Sequence, residues 1–218
     1  MIEIIQMNIP HEVYQLLAIL KEYNPLLVGG CVRDYLMGNN PHDYDLVVPH
    51  VHHQMLLEII EAGWQTKLTE NNDTEIWNVT KKFPVYDTIY YKGSPINYVK
   101  GEKSYVIELL SYRGETLSDD ASNRDLTVNS LYYDYFNDKI FDPTGRGLED
   151  IQNKVVRFNN KQVVEKDPLR IMRAYRFAKK FDFTIEDKSL KLCRNGFDSM
   201  IKEISPTRIL KEIEKLCL

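Results

Sequence analysis

The sequence predicts an α+β chain in two parts. A mixed or antiparallel sheet with flanking helices fills residues 1–144, and a small all-helical domain follows over 145–218. Three observations predict this. Up to residue 62, helically spaced apolar residues alternate with short continuous apolar runs. From Trp64 to Tyr112 the pattern changes to short β-type runs parted by turn-rich stretches. Beyond residue 145 helical spacing takes over.

In order, Val13, Leu16, Leu17 and Leu20 recur at helical spacing and predict an amphipathic helix over 10–23. Leu26-Leu27-Val28 reads as a buried strand ended by Gly29-Gly30. Residues 31–37 suit a helix, stopped by Gly38-Asn39-Asn40-Pro41. Residues 43–48 alternate and then become continuously apolar, as a sheet strand does, and 51–62 suit another helix. Runs at 76–80, 85–91 and 105–112 read as strands, with a turn at Lys92-Gly93-Ser94-Pro95. A helical or mixed segment follows at 126–131, then a strand pair around Asn137-Asp138. The strongest later helix spans 167–180, with Pro168 in its first turn, where a missing amide costs nothing. A last helix starts at Ser205-Pro206. No repeat or low-complexity tract is found.

Hydrophobic residues make up 43% of the 218, enough for a core. No apolar run approaches the ~20 residues of a membrane helix, and the start, MIEIIQMNIP, lacks the build of a secretory signal. Cys31, Cys193 and Cys217 are scattered, odd in number and outside metal-type pairs, so a reduced cytoplasmic protein is expected. The net charge of −4 counts mildly against a nucleic-acid partner, but Lys154, Arg157, Lys161, Arg170, Arg173, Arg176, Lys179 and Lys180 concentrate positive charge in one stretch. His42, His50, His52 and His53 read as loop histidines around a proline-bounded turn.

Asp43 and Asp45 are two apart on the predicted strand and so share a face. Paired carboxylates on one face call for a cation, and Mg²⁺ accepts carboxylates together with substrate phosphates. An isolated Asp-x-Asp is as readily a solvated strand end. Upstream, Val28-Gly29-Gly30-Cys31-Val32-Arg33-Asp34 sets a diglycine bend before a helix. That arrangement can cradle phosphate on backbone amides, with Arg33 adding a charged fork. Together the two features describe a nucleoside triphosphate site. Two metals need a further acidic ligand. Glu108 is the candidate, since period-2 neighbours Val106 and Leu110 would otherwise leave a charge among apolar groups. The competing reading is an edge-strand glutamate.

Gly29-Gly30-Cys31-Val32-Arg33-Asp34-Tyr35-Leu36-Met37-Gly38, followed by Asp43-Tyr44-Asp45-Leu46, resembles the signature of class II (CCA-adding) tRNA nucleotidyltransferases and bacterial poly(A) polymerases, within the polymerase-beta-like superfamily. Ile107-Glu108-Leu109 with Ser111-Tyr112-Arg113 resembles the strand carrying the third carboxylate. Arg124-Asp125-Leu126-Thr127-Val128-Asn129-Ser130-Leu131 resembles the next motif. Phe141-Asp142-Pro143-Thr144-Gly145 with Gly147-Leu148-Glu149-Asp150-Ile151 is similar to the turn into the neck. Asp167-Pro168-Leu169-Arg170-Ile171-Met172-Arg173-Ala174-Tyr175-Arg176-Phe177-Ala178 resembles the neck helix.

The resemblance covers residues 28–178 and the later helix at 205–213. It implies a nucleotidyltransferase head over 1–144 and a nucleobase-recognising neck over 145–218. It implies template-independent transfer of CMP or AMP from CTP or ATP to an RNA 3′-hydroxyl, tRNA being the favoured acceptor. Two Mg²⁺ ions would be held by Asp43, Asp45 and Glu108. The nucleotide would meet Gly29, Gly30, Arg33, Arg124, Asp125, Asn129, Asp167, Arg170, Arg173 and Arg176. Asp167 and Arg170, three apart on a helix, would read the base; the plain alternative is a surface ion pair. Asp125 would cap a helix and bond a ribose hydroxyl.

Lys166 departs from the glutamate usual before the neck aspartate. The short stretch between Arg113 and Arg124 resembles the CC-adding subtype. The chain stops soon after the neck, as a compact protein or a fragment would, so a protein partner or an oligomer would supply the grip on tRNA. Rival readings are poly(A) polymerase-like tailing, modification of a protein or small molecule, and a non-catalytic RNA-binding module.

Overall fold

The computed structural model describes residues 6–71, 74–91 and 94–217, with side chains over 6–69, 75–83 and 102–216. In chain order the elements are α1 (His11–Ile19), β1 (Leu26–Val28), α2 (Gly30–Leu36), β2 (Asp45–Val48), α3 (His53–Glu61), β3 (Gln65–Asn71), β4 (Thr74–Tyr91) and β5 (Ser94–Ser111). Then come α4 (Leu117–Asn123), β6 (Tyr132–Asp134), β7 (Lys139–Phe141), α5 (Gly147–Gln152) and β8 (Val155–Val156). The chain closes with α6 (Gln162–Lys166), α7 (Arg170–Phe181), β9 (Thr184–Ile185), α8 (Asp187–Glu203) and α9 (Pro206–Cys217). The fold is α+β, as the sequence predicts. No helix among the described residues is long and apolar enough to cross a membrane.

The elements fall into two interleaved units. One comprises Met1–Met7, Leu26–His42 and Tyr112–Leu218; the other comprises Asn8–Pro25 and Asp43–Ser111. The second unit is a mixed sheet under two helices. β3 and β4 are antiparallel, β4 and β5 are antiparallel, and β2 runs parallel to β5 in the register Asp45↔Glu108 to Val48↔Ser111. Alternation decides the faces: Ile107 and Leu109 are buried while Val106 is 56% exposed. Val13, Leu16 and Leu17 of α1, with Met55 and Ile59 of α3, are almost fully buried. Each such side chain stabilises the fold by roughly 1.5–3 kcal/mol. Tyr23 donates to Glu58 at 2.8 Å and ties the turn after α1 to α3.

In the first unit β1 pairs antiparallel with β6, and β6 forms a hairpin with β7. The hairpin turn is set by Asp134, whose side chain accepts from the amides of Phe136 and Asn137. Gly29 adopts φ 76°, a left-handed conformation that costs glycine least, and so bends β1 directly into α2. A helical core follows, with Val163, Val164, Ile171, Ala174, Phe177, Cys193, Met200 and Ile204 packed together. Gly147, which opens α5, has no room for a side chain: a Cβ there would lie 2.7 Å from the Thr127 carbonyl oxygen.

Several elements differ from the sequence expectation. β4 is one 18-residue strand, not two runs. Lys92 and Gly93 of the predicted turn lie outside the described residues, and Ser94 already begins β5. The stretch between Arg113 and Arg124 is not a loop but contains α4, nucleated by a capping box in which Thr116 accepts from the Asp119 amide and Asp119 accepts from that of Thr116. The neck helix α7 begins at Arg170, three residues after its predicted start. Asp167-Pro168-Leu169 form a tight entrance, with Arg170 N–H bonded to the Asp167 carbonyl at 3.1 Å.

Candidate functional site

The carboxylates belong to the sheet unit. Asp45 opens β2, opposite Glu108 on the parallel neighbour β5, so the two side chains leave the sheet on the same face. Asp43 lies outside the strand, two residues ahead of it and exposed. The strand starts two residues later than expected, yet burial still alternates into it, with Asp43 exposed, Tyr44 buried, Asp45 half-buried and Leu46 buried. Glu108 is exposed and Val106 beside it is open, so no burial cost forces Glu108 to find a cation. Among the described residues no three His, Cys, Asp or Glu side chains stand close enough to hold a metal ion by themselves. Mg²⁺ keeps several waters and takes one or two carboxylates plus substrate phosphates. An in-register acidic pair with a third, exposed carboxylate just ahead of the strand fits such an ion without forming a closed cage.

The predicted nucleotide-binding residues all belong to the other unit, and four of them form one relay. Arg33 Nη1 donates to Asn129 Oδ1. Asn129 Nδ2 donates to Asp125 Oδ1 at 3.1 Å, and Asp125 Oδ2 accepts from both Arg173 Nε and Nη2 at 2.7 Å. Arg33 is only 4% exposed; its Nε and Nη2 also hold Asp34, and its guanidinium lies over Phe181, 4.6 Å from the ring centre. It is an internal strut rather than a solvent-facing fork. Gly29 N–H, predicted to face phosphate, bonds the Leu131 carbonyl at 3.2 Å instead. Gly30 opens α2, and a Cβ there would lie 3.6 Å from Arg33 Nη2. Asp125 does not act as a helix cap; its Oδ1 accepts from the adjacent Leu126 amide.

The base-reading pair is arranged differently from a helix face. Asp167 precedes α7, and its Oδ2 accepts from Arg208 Nη2 at 3.0 Å. Arg170 Nη1 bonds the Asn123 carbonyl at 3.3 Å. Arg176 Nε bonds the buried Glu212 of α9 at 2.8 Å, with its guanidinium over Phe177.

Arg124 is held from behind. Its Nε donates to Asp120 Oδ2 at 2.8 Å and to Tyr132 Oη at 3.2 Å, while its Nη2 is buried without a hydrogen-bond partner among the described residues. Asp120, fully buried, also accepts from Tyr132 Oη at 2.6 Å and from the Arg113 amide at 3.0 Å. Burial pushes the Asp120 pKa up, but Arg124 and Arg113 outweigh it and hold the carboxyl below its ordinary range. Burial, with Arg124 and Arg170 nearby, lowers Arg113 to about 10. For Asp125, burial again raises, but the Arg173 charge, the Asn129 amide and the Arg170 charge prevail and leave it well below a usual carboxylate. Arg113, Arg124, Arg170 and Arg173 thus gather around Asp120 and Asp125, a local excess of positive charge suited to a polyanion.

Sequence reading missed Arg113, Asp120, Tyr132 and Arg208 as parts of this network. The Asp120/Arg124 pair is legible as an i,i+4 ion pair. Arg208 carries no such signal, because its partner lies 41 residues away.

Known proteins agree with this architecture. Residues 26–157 match the Poly A polymerase head domain, and the chain belongs to that family. The family is in general one of metal-dependent nucleotidyltransferases. The Multifunctional CCA protein of Acinetobacter baumannii is 31% identical over 197 residues, covering 87% of this chain and 43% of that protein. The CC-adding tRNA nucleotidyltransferase of Halalkalibacterium halodurans is 28% identical over 197 residues, covering 90% and 45%. A solved tRNA-processing enzyme with CTP is 26% identical with a TM-score of 0.67, covering 91% of this chain and 50% of that one. The chain therefore spans less than half the length of these two curated relatives.

Proposed function

We propose that this chain is the head and neck of an RNA nucleotidyltransferase. It transfers CMP or AMP from CTP or ATP to the 3′-hydroxyl of RNA, in tRNA 3′-end addition or repair. The observation that carries this reading is the register Asp45↔Glu108, which sets two carboxylates on one sheet face in a member of this family. The names of the relatives, a CC-adding tRNA nucleotidyltransferase and a CCA protein, favour tRNA as acceptor. A cytoplasmic location suits that substrate.

Asp43, Asp45 and Glu108 would hold two Mg²⁺ ions. When bound, the ions would neutralise triphosphate charge and lower the pKa of the attacking hydroxyl. The reaction forms a bond from the RNA 3′-oxygen to the α-phosphorus and breaks the bond to the β-phosphate, releasing pyrophosphate. The protein residues position and stabilise charge. Arg124, oriented by Asp120 and Tyr132, and Arg170 offer donors to the nucleotide. Arg33, Asn129, Asp125 and Arg173 hold that surface rigid through their mutual bonds, Arg176 adds its bond to Glu212, and Gly29 and Gly30 shape the bend beside Arg33. Asp167, backed by Arg208, accepts from an exocyclic amine of the base, and Arg170 donates to ring acceptors. We assign the head to 1–144 and the neck to 145–218.

The test is Mg²⁺-dependent incorporation of labelled CTP or ATP into a tRNA lacking its terminal nucleotides, with product sequencing. Asp45→Ala and Glu108→Ala should each lower incorporation by at least about a thousandfold with the melting temperature unchanged. Full activity in Asp45→Ala would overturn the assignment. Transfer to protein in place of RNA would favour the protein-modifying alternative.

A further inference from the structure

β4 and β5 pair with each other along their whole length, from Ile76↔Leu110 to Tyr91↔Ser94. Their outer neighbours are much shorter. β3 pairs with β4 only as far as Gln65↔Thr80, and β2 meets β5 only from Glu108 to Ser111. Past Thr80 on one strand and Glu108 on the other, the two strands continue as a ribbon of roughly 35 Å at a rise of about 3.3 Å per residue. Two-stranded ribbons bury little and leave both backbone edges open, so such an extension has no place in core packing.

Its composition sets it apart from the rest of the chain. Residues 81–105 hold Lys81, Lys82, Lys92, Lys100 and Lys103 against only Asp87 and Glu102, in a protein of net charge −4. The same stretch holds Phe83 and five of the 14 tyrosines. At the root, the side chains form an anchored row. Trp64 and Phe83 meet edge to face at 5.6 Å between ring centres, and Phe83 and Tyr105 at 5.8 Å. Lys81 Nζ lies over Phe83 and bonds the Ala62 carbonyl at 2.8 Å, fixing the ribbon to the end of α3. Lys82 and Lys103 remain exposed, Lys82 in a loose surface pair with Glu102 at 3.8 Å and Lys103 with its ammonium 4.7 Å from the Tyr105 ring centre. Interleaved lysines and aromatic rings on a pre-oriented support fit a polyanion that also carries flat bases.

We propose that this β4–β5 arm is an RNA-contact surface, gripping the backbone of the acceptor through Lys82 and Lys103. This rests on the nucleotidyltransferase reading above. The arm is continuous with the strand that carries Glu108.

The test uses the full chain and a fluorescent RNA hairpin with a single-stranded CC end. Binding is followed by anisotropy across a salt series, alongside CTP incorporation at saturating RNA. Lys82→Glu/Lys103→Glu alters exposed side chains only. It should raise Kd at least tenfold and flatten the log K–log salt slope by about 1.5, the share of two phosphate contacts. Incorporation at saturating RNA should stay within twofold. Unchanged Kd and slope, with wild-type incorporation intact, would refute the arm and leave the enzyme reading standing. A wild type that binds RNA through these lysines but incorporates nothing would keep the arm and sink the enzyme reading. If the wild type neither binds nor incorporates, both fall. If the substitutions abolish self-association in sedimentation while RNA affinity holds, the ribbon edge joins two copies of the chain and the RNA proposal is wrong.

Discussion

Asp125 shows how one carboxylate organises the arginine-rich unit. It is 7% exposed and accepts bonds from Leu126, Asn129 and Arg173. A carboxyl whose folded pKa is depressed contributes stability in full above its unfolded value, near 3.9, and loses it as pH falls through the folded value. The Asp125 contribution is therefore intact at neutral pH and fades only in strong acid. Asp125→Asn keeps the shape but leaves Arg173 without its countercharge, and should cost about 3 kcal/mol at pH 7. In urea melts at pH 7 and at pH 2, the loss should be smaller at the acid end. An equal loss at both would remove charge from the explanation. The residues of this relay were legible as a motif, yet their roles were not. Sequence spacing marks Arg33 as a cation near a glycine bend, but only packing reveals that Phe177, Phe181, Asp34 and Asn129 enclose it.

At the scale of elements, α4 carries a start signal that can be tested. Thr116→Ala removes the acceptor of the Asp119 amide and should destabilise by about 1 kcal/mol, with Thr116→Ser restoring most of it, as read from thermal melts. Because Asp120 lies on this helix and holds Arg124, the same change should also weaken nucleotide binding; if stability falls and binding does not, α4 is not what orients Arg124. Elements with one buried face were readable in advance: α1, β1, α2, α3 and α9 lie close to their expected places. The Thr116-x-x-Asp119 cap was present too, but the polar run that follows has no apolar stripe to announce a helix. The length of β4 was hidden for the complementary reason. Lys81, Lys82 and Pro84 interrupt its apolar runs, so its single 18-residue strand reads as fragments. The start of α7 was shifted because Asp167 and Pro168 already make i→i+3 turns, which periodicity cannot separate from a helix.

Across the whole molecule, distant parts of the sequence complete one another. Arg208 reaches from α9 to Asp167, so the last helix backs the residue assigned to base reading. Arg208→Met keeps the stem and removes the fork. It should narrow the preference for CTP and ATP over UTP and GTP while leaving RNA affinity within twofold. Unchanged nucleotide preference would separate Arg208 from base selection. The two units cross the same chain at residues 7, 25, 42 and 111, so no single cut releases either one whole.

The pairing of β1 with β6 extends this point into the time domain. Leu27 must wait for Tyr133, which leaves the ribosome more than a hundred residues later. At about 5–20 residues per second, the edge of β1 that β6 covers stays open for roughly 5–20 s. Throughout that interval the amide and carbonyl groups along that edge are open to chaperones, and early ribosomal stalling would strand them there.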